Sequence, residues 1–276
     1  MPQYLETFWA QSKKVLIEYS RYPVAFLALF VQIFVIIVLF IITSFAFRTP
    51  GTDQIQITNF AGMMAYGFVT NIILSFTLWE IGFSIREEQV RGTLESLYLS
   101  PTNKFSNLLS RVFAILLWTA AISIGGLLLV SGLVGGLPVH NLGKALFVLL
   151  LTTTGFLGFG FIFAGITIRL KETAQMLVNG VQFFFMIFSA QIFPFAALSQ
   201  VSPAIVDYIS RWLPVSYCVD LFRTTLLGIP PELLPNDVLV EYVVVIAFGI
   251  ISPIIGYLYY NWIDRRARAE GTLGEY

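Results

Sequence analysis

Long apolar runs separated by short polar stretches dominate the chain. Six such segments cover roughly residues 23–45, 59–80, 108–132, 143–168, 174–198 and 239–262. Each holds about 20 residues or more, enough at a rise of about 1.5 Å per residue to cross a hydrocarbon core about 30 Å thick. Lipid offers no partner for backbone N–H and C=O groups, so each segment is expected to be a helix, and no β-barrel alternation is present. The fourth segment is long enough to tilt or protrude. The pattern predicts an all-α, polytopic membrane protein with six transmembrane helices.

Two amphipathic regions frame these spans. Residues 4–20 place Tyr4, Leu5, Phe8, Trp9, Val15, Leu16 and Tyr19 on one helical face, with Lys13, Lys14 and Glu18 elsewhere. That spacing predicts an interfacial helix on the inner leaflet, with Pro23 marking the turn into the bilayer. Residues 1–22 are therefore expected as a cytoplasmic interfacial helix and 23–276 as the transmembrane domain. The second region, about 199–238, is too long for a simple turn. In VSPAIVDYISRWLP, Ile205, Ile209, Trp212 and Leu213 share a face, and Asp207 precedes Arg211 at i,i+4, the favourable order for a helical ion pair. After Pro214, SYCVDLFRTTLLG carries Asp220 and Arg223 and ends at Gly228. Both stretches are expected as short outer helices, lying in the interface or dipping back into the membrane. Pro194 is expected to break the chain near the end of the fifth span.

Basic residues orient the spans. With the N-terminus inside, the inner segments hold Lys13, Lys14, Arg21, Arg86, Arg91, Lys104, Arg111, Arg169, Lys171, Arg265, Arg266 and Arg268, 12 of the 16 basic residues. Arg48, Lys144, Arg211 and Arg223 remain outside. This asymmetry satisfies the positive-inside rule and places both termini in the cytoplasm. The N-terminus does not read as a cleaved signal, because Glu6 and Glu18 interrupt it and no short apolar core leads to a small-residue cleavage site.

Composition narrows the chemistry. Apolar residues make up 57% of the chain and charged ones 12%, about half the share of a soluble domain, and the mean hydropathy is +0.80. Zero net charge gives no electrostatic case for nucleic acid. Cys218 is the single cysteine and His140 the single histidine, so a disulfide framework, a cysteine-based zinc site and HExxH are all excluded. GxSxG is absent. Residues 136–144, GLPVHNLGK, depart from a phosphate loop in glycine spacing, and Ala145 stands where Ser or Thr is required. His140 reads as a polar loop residue.

Polarity inside the spans is confined to amides: Gln32, Asn71, Asn179, Gln182 and Gln191. Such groups make interhelical hydrogen bonds, and the alternative is that Asn71, Asn179, Gln182 and Gln191 line a translocation path. Gly155, Gly158, Gly160 and Gly165 crowd the fourth span, which points to close helix packing, with a dimer seam or a bending point as alternatives. Phe183–Phe185, Phe188, Phe193 and Phe195 suit lipid-facing packing or a lipidic solute. A secondary transporter would place ionisable groups deep in its spans; here Glu80 lies only at the cytoplasmic end of the second. Work against a gradient would have to come from a partner.

The cytoplasmic loops are where a partner could attach, and the segment after the second span, EEQVRGTLESLYLSP (87–101), is the most elaborate of them. Val90, Leu94 and Leu97 recur at helical spacing, with Glu88, Arg91 and Glu95 on the other side, and Glu87 and Arg91 form an i,i+4 pair. Gly92 can end one helix and Thr93 cap the next, Glu95 then suits the first-turn dipole, and Pro101 stops it. By spacing alone this is either a solvated connector or a docking element.

These residues resemble the signature that follows the second span in permeases of the type-2 ABC transporter family: Glu87, Glu88, Gly92, Thr93, Leu94, Glu95, Leu97 and Pro101 match it. LPVSYCVDLFRTTLLG (213–228) is similar to the family's late segment, with Leu213 and Ser216 departing from its commonest Asn and Thr. The resemblance implies a membrane subunit of an ATP-driven exporter of drugs, lipids or glycans in the cytoplasmic membrane of a prokaryote. It implies that 87–101 carries a coupling helix, with Glu87, Glu88, Arg91, Gly92, Thr93, Leu94, Glu95 and Leu97 meeting a separate cytoplasmic ATPase. That partner, in two copies, would bind ATP and Mg, this chain holding no cofactor, and a second permease, most simply a copy of this chain, would complete the unit among membrane lipids. A non-transporting scaffold driven by the same ATPase is the alternative, and an ATP-independent channel would need polar pore linings that are not found.

Overall fold

A computed structural model describes residues 54–83, 119–120, 123–170 and 173–269, with isolated positions among residues 9–42. Among these residues all regular structure is helical. In chain order, α1 is Gln54–Phe76, continued by a π-helical turn over Thr77–Ile81. Helix α2 is Ser123–Val134, α3 Leu142–Leu170, α4 Thr173–Phe188, α5 Phe195–Val201 and α6 Pro203–Tyr208. A 3₁₀ turn over Ser210–Trp212 leads to α7, Pro214–Leu227, and α8 is Val238–Ala269.

Among the described residues, three stretches are long and apolar enough to cross a membrane: Thr58–Ile81, Leu142–Thr167 and Val238–Ala267. They coincide with the second, fourth and sixth apolar segments of the sequence. The interfacial helix, most of the first span and the whole of 87–101 lie outside the described residues. The fifth segment differs from expectation. Its helix spans 16 residues, about 24 Å at 1.5 Å per residue, and stops at Phe188 rather than near residue 198. Ala190 then adopts a left-handed φ of 52°, which opens a non-helical stretch up to Pro194, the N-cap of α5.

Contacts give the directions. Leu151, Gly158 and Gly165 of α3 lie against Gly249, Gly256 and Tyr259 of α8, so these two helices run parallel. Tyr66 bonds to Pro138 and Gly82 to Thr167, so α1 runs the same way. Asn71 pairs with Gln191 while Trp79 pairs with Gln182, which makes α4 antiparallel to α1. These are the relative directions that alternate spans require.

The α3–α8 seam explains the glycines. Lipid supplies no hydrophobic drive for helix association, so backbones must come close enough for dispersion and polar contacts to hold them. At Gly158 a Cβ would collide with the Ser252 backbone, and at Gly256 one would collide with the Gly158 carbonyl. The Ser252 hydroxyl uses the close approach, donating to the Gly155 carbonyl at 2.8 Å. Gly160 serves another neighbour, with Ile81 side-chain atoms 3.1 Å from where its Cβ would sit. Apolar clusters fill the rest: Tyr66, Leu74, Phe156, Val215, Leu221 and Val245 toward α7, and Ile81, Phe161, Tyr260 and Ile263 toward the Phe83 end.

Gly158→Leu is expected to force α3 and α8 apart, costing about 1–3 kcal/mol or more by overpacking. Gly180→Ala on α4, where a Cβ meets nothing within 4 Å, is expected to be neutral or slightly stabilising. Thermal unfolding in detergent, followed by fluorescence-detected gel filtration, compares the two.

Candidate functional site: a buried polar seam and its charged cap

One face of α1 carries Asn71, Ser75 and Trp79 at i, i+4 and i+8, and α4 and the stretch after it answer this row with amides. The Asn71 Nδ2 donates to Gln191 Oε1 at 2.7 Å. Gln182 Nε2 donates to the Ser75 hydroxyl at 2.6 Å, and Trp79 Nε1 donates back to Gln182 Oε1 at 3.2 Å. The Ser75 hydroxyl in turn donates to the Asn71 carbonyl at 2.8 Å. Trp79 lies in the π-helical turn and stacks on Phe83 with ring centroids 5.1 Å apart. Gln191 is fully buried, and its Nε2 has no protein acceptor.

The seam ends at Arg223, whose side chain is 1% exposed. Its Nε donates to the Met63 carbonyl at 2.7 Å, while the guanidinium tips lie 3.4–3.5 Å from the Phe193 and Gln191 carbonyls. A helical carbonyl points along the axis toward residue i+4, here Gly67. A Cβ on Gly67 would collide with the guanidinium and with the Gln191 carbonyl. The glycine therefore opens the side of α1 at the place where the cation must reach it. Burial pushes the guanidinium down to about 10, with Glu232 and Asp220 opposing, so it stays cationic at neutral pH.

Carboxylates complete the cap. Asp220 accepts from the Glu232 N–H at 3.1 Å and the Leu233 N–H at 2.7 Å, and Glu241 accepts from the Leu234 N–H at 3.1 Å. Three successive backbone donors of the 229–237 loop are thereby held between α7 and α8. Burial pushes the Asp220 carboxyl up to about 6, against the pull of those N–H groups and of Arg223. Glu232 reaches the other way and accepts from the Phe195 and Ala196 N–H groups at 2.8 and 3.3 Å. These are first-turn donors of α5, which Pro194 at the N-cap cannot satisfy with a side chain. Helix α7 closes on Gly228 at φ 69°, whose N–H bonds to the Thr224 carbonyl, with the His140 ring packed against it.

The model of the family described as ABC-2 type transporter matches residues 6–227, most of the chain. The chain belongs to the ABC-2 type transporter family. No curated protein matches it closely enough in sequence to count as a relative. Membership makes it a multi-pass membrane protein and a permease subunit of an ABC transporter, in a family of transport subunits that generally lack catalysis of their own and typically work with a cytoplasmic ATPase subunit.

Within that family frame, the residues singled out in the sequence separate into groups. Asn71, Gln182 and Gln191 meet in the seam. Asn179, one turn from Gln182, is half-buried, and none of the seam's hydrogen bonds among the described residues reaches it. Asp220 and Arg223 belong to a helix buried on nearly every side, not one lying flat on a surface. Asp207 and Arg211 do not share an α-helix: α6 ends at Tyr208 and Arg211 lies in the 3₁₀ turn, where its carbonyl accepts from Tyr217. Glu87, Glu88, Arg91, Gly92, Thr93, Leu94, Glu95 and Leu97 lie outside the described residues. Sequence reasoning missed Ser75, Trp79, Gly67, Glu232 and Glu241. The first two were readable as the i+4 and i+8 continuation of Asn71; the carboxylates bond across the fold and leave no local signal.

Arg223→Met is expected to leave Asp220 and Glu232 without their cation and to cost about 3–5 kcal/mol, the range for breaking a buried ion arrangement. Gln182→Leu, which strands Trp79 Nε1 and the Ser75 hydroxyl, is expected to cost about 1–3 kcal/mol. Melting temperatures of the purified chain in detergent check the order.

Proposed function

We propose that this chain is the membrane subunit of an ATP-driven exporter that moves a drug, lipid or glycan-like substrate outward across the cytoplasmic membrane of a prokaryote. A separate ATPase seats on 87–101, two permeases enclose the pathway, and ATP and Mg are bound by the ATPase subunits. The observation that carries this reading is the family match, whose span includes the 87–101 signature. Export is preferred to import because importer permeases carry a different cytoplasmic motif, which the sequence lacks.

The geometry of α1 supports a mechanical route. The proposed docking segment begins four residues after Phe83, so a push there falls on the Phe83 end of α1. The amide seam ties that half of α1 to α4, and the opposite half is held to the cap by the Arg223 bond to Met63. Nucleotide-driven closure of the ATPases would then move α1, the stretch at Gln191 and α7 together, opening the outer end. Among the described residues Gln191 Nε2 has no acceptor, and such unused hydrogen-bonding capacity suits a seam that changes partners during that movement.

Glu87→Lys and Glu95→Lys are expected to lower coupled ATP hydrolysis while membrane insertion survives. Wild-type coupling in both variants would remove these residues from the docking surface. Co-purification with a P-loop ATPase, followed by substrate-stimulated hydrolysis, separates an exporter from a scaffold that binds the same ATPase without transporting.

A further inference from the structure

Beside the seam, on another face of α1, lies a cavity of about 460 Å³. Tyr66, Val69 and Ile73 of α1 form its back; α2, α3 and α7 supply the sides, with Ala145 and Phe222 buried among them. Its polar neighbours are turned to protein: Tyr66 donates to the Pro138 carbonyl, Thr153 to the Leu149 carbonyl, and Ser131 accepts from the Leu137 N–H. Among the described residues the buried Ser123 hydroxyl has no protein partner. Water held in a cavity needs two to four polar partners per molecule, and a few hydroxyls scattered over an otherwise apolar lining, three of them already bonded to protein, cannot give these to a space this large. Left empty, the cavity would deprive every lining side chain of its dispersion contacts on one side.

The mouth identifies the occupant. Ile124 and Leu128 of α2 and Leu142 and Leu146 of α3 line the cavity and are themselves 58, 68, 58 and 56% exposed. Helix α3 is long and apolar enough to cross a membrane, and α2 is a shorter apolar helix that lines the cavity beside it, so in a bilayer this open side faces lipid and an occupant enters sideways, without crossing water. The apolar fluid on that side is lipid tails. We propose that this cavity is a binding site for one acyl chain of a membrane lipid from the leaflet at the α7 end, held as a resident chain that packs α2 against α1, α3 and α7. The site is distinct from the amide seam, which lies on the face of α1 turned to α4. It requires only that the chain be embedded in a membrane, so its test does not depend on the export reading.

The purified chain is reconstituted in vesicles of phosphatidylethanolamine and phosphatidylglycerol containing phosphatidylcholine with a diazirine on its acyl chain. After irradiation, labelled peptides are mapped by mass spectrometry. Labelling is expected to concentrate on Ser123–Leu128 and Ala145–Leu149, above the level at Val243 and Ile250, which α8 exposes directly. In Ala145→Phe, labelling at those cavity positions is expected to fall by roughly fivefold or more, since a site packed to interior density leaves a chain no room, while α8 labelling stays constant. Should Ala145→Phe fail to fold by gel filtration, Ser123→Leu fills the same space from α2 and serves for the comparison. Undiminished cavity labelling in the folded filling variant, or wild-type labelling no stronger than at α8, would overturn the assignment.

Discussion

A guanidinium without access to solvent must find fixed oxygen partners, and at Arg223 those partners come from three separate places: the middle of α1, the break after α4, and the approach to α5. Much of the cap follows from that demand. Gly67 has to lack a side chain so that the cation can lie against α1. The chain after Phe188 has to leave the helix, because only a non-helical stretch can turn the Gln191 and Phe193 carbonyls toward α7. Ala190 takes the left-handed conformation that makes the turn, at a cost of about 1–3 kcal/mol that the surrounding bonds must offset. Asp220 and Glu232 then place negative charge near the buried cation and so offset part of its cost, while their oxygens accept from backbone N–H groups, Asp220 fixing the loop leading to α8 and Glu232 the start of α5.

The bundle thus holds itself together in two physically different ways. Between α3 and α8 the contact is backbone against backbone, made possible by Gly158 and Gly256 and fixed by one hydroxyl from Ser252. Such a seam has little freedom, because any separation loses many close contacts at once. Between α1 and α4 the contact is a row of hydrogen bonds through Asn71, Ser75, Trp79, Gln182 and Gln191, and hydrogen-bonded side chains can exchange partners at modest cost. A rigid pair beside an adjustable one is a suitable division for a subunit of a transporter, where one part must hold while another moves. The π-helical turn at Thr77–Ile81 sits at the adjustable side, where Trp79 joins the row.

Much of this was legible in the sequence wherever a pattern was local. Apolar length alone located the second, fourth and sixth spans, and the glycines of the fourth announced the close approach to α8. The amides at 71, 182 and 191 were readable as interhelical partners, because a neutral polar side chain in lipid has few other uses. A break near Pro194 was legible, but its start was not: 189–193 carry no glycine or proline, and the turn at Ala190 is set by partners distant in sequence. The burial of α7 was only half legible: its pattern allowed a helix lying in the interface or one dipping back, and the inward bonds of Asp220 and Arg223 to groups near residues 63, 191, 193 and 233 leave no local signal to choose between them. The family resemblance was carried by 87–101 and 213–228, and the match over residues 6–227 includes both almost entirely.

The account stands on α1 and α7 behaving as one body. Gly62 and Leu227 offer the most direct way to ask, since a Cβ at Gly62 would lie 2.7 Å from a Leu227 methyl carbon. Cysteines at both positions, in a Cys218→Ser background, can be oxidised in the transporter assembled with its ATPase, and the rate of ATP hydrolysis measured before and after. If the two helices move together, the cross-link forms and the rate is unchanged. If oxidation stops hydrolysis and reduction restores it, α1 and α7 separate during the cycle and the account is contradicted.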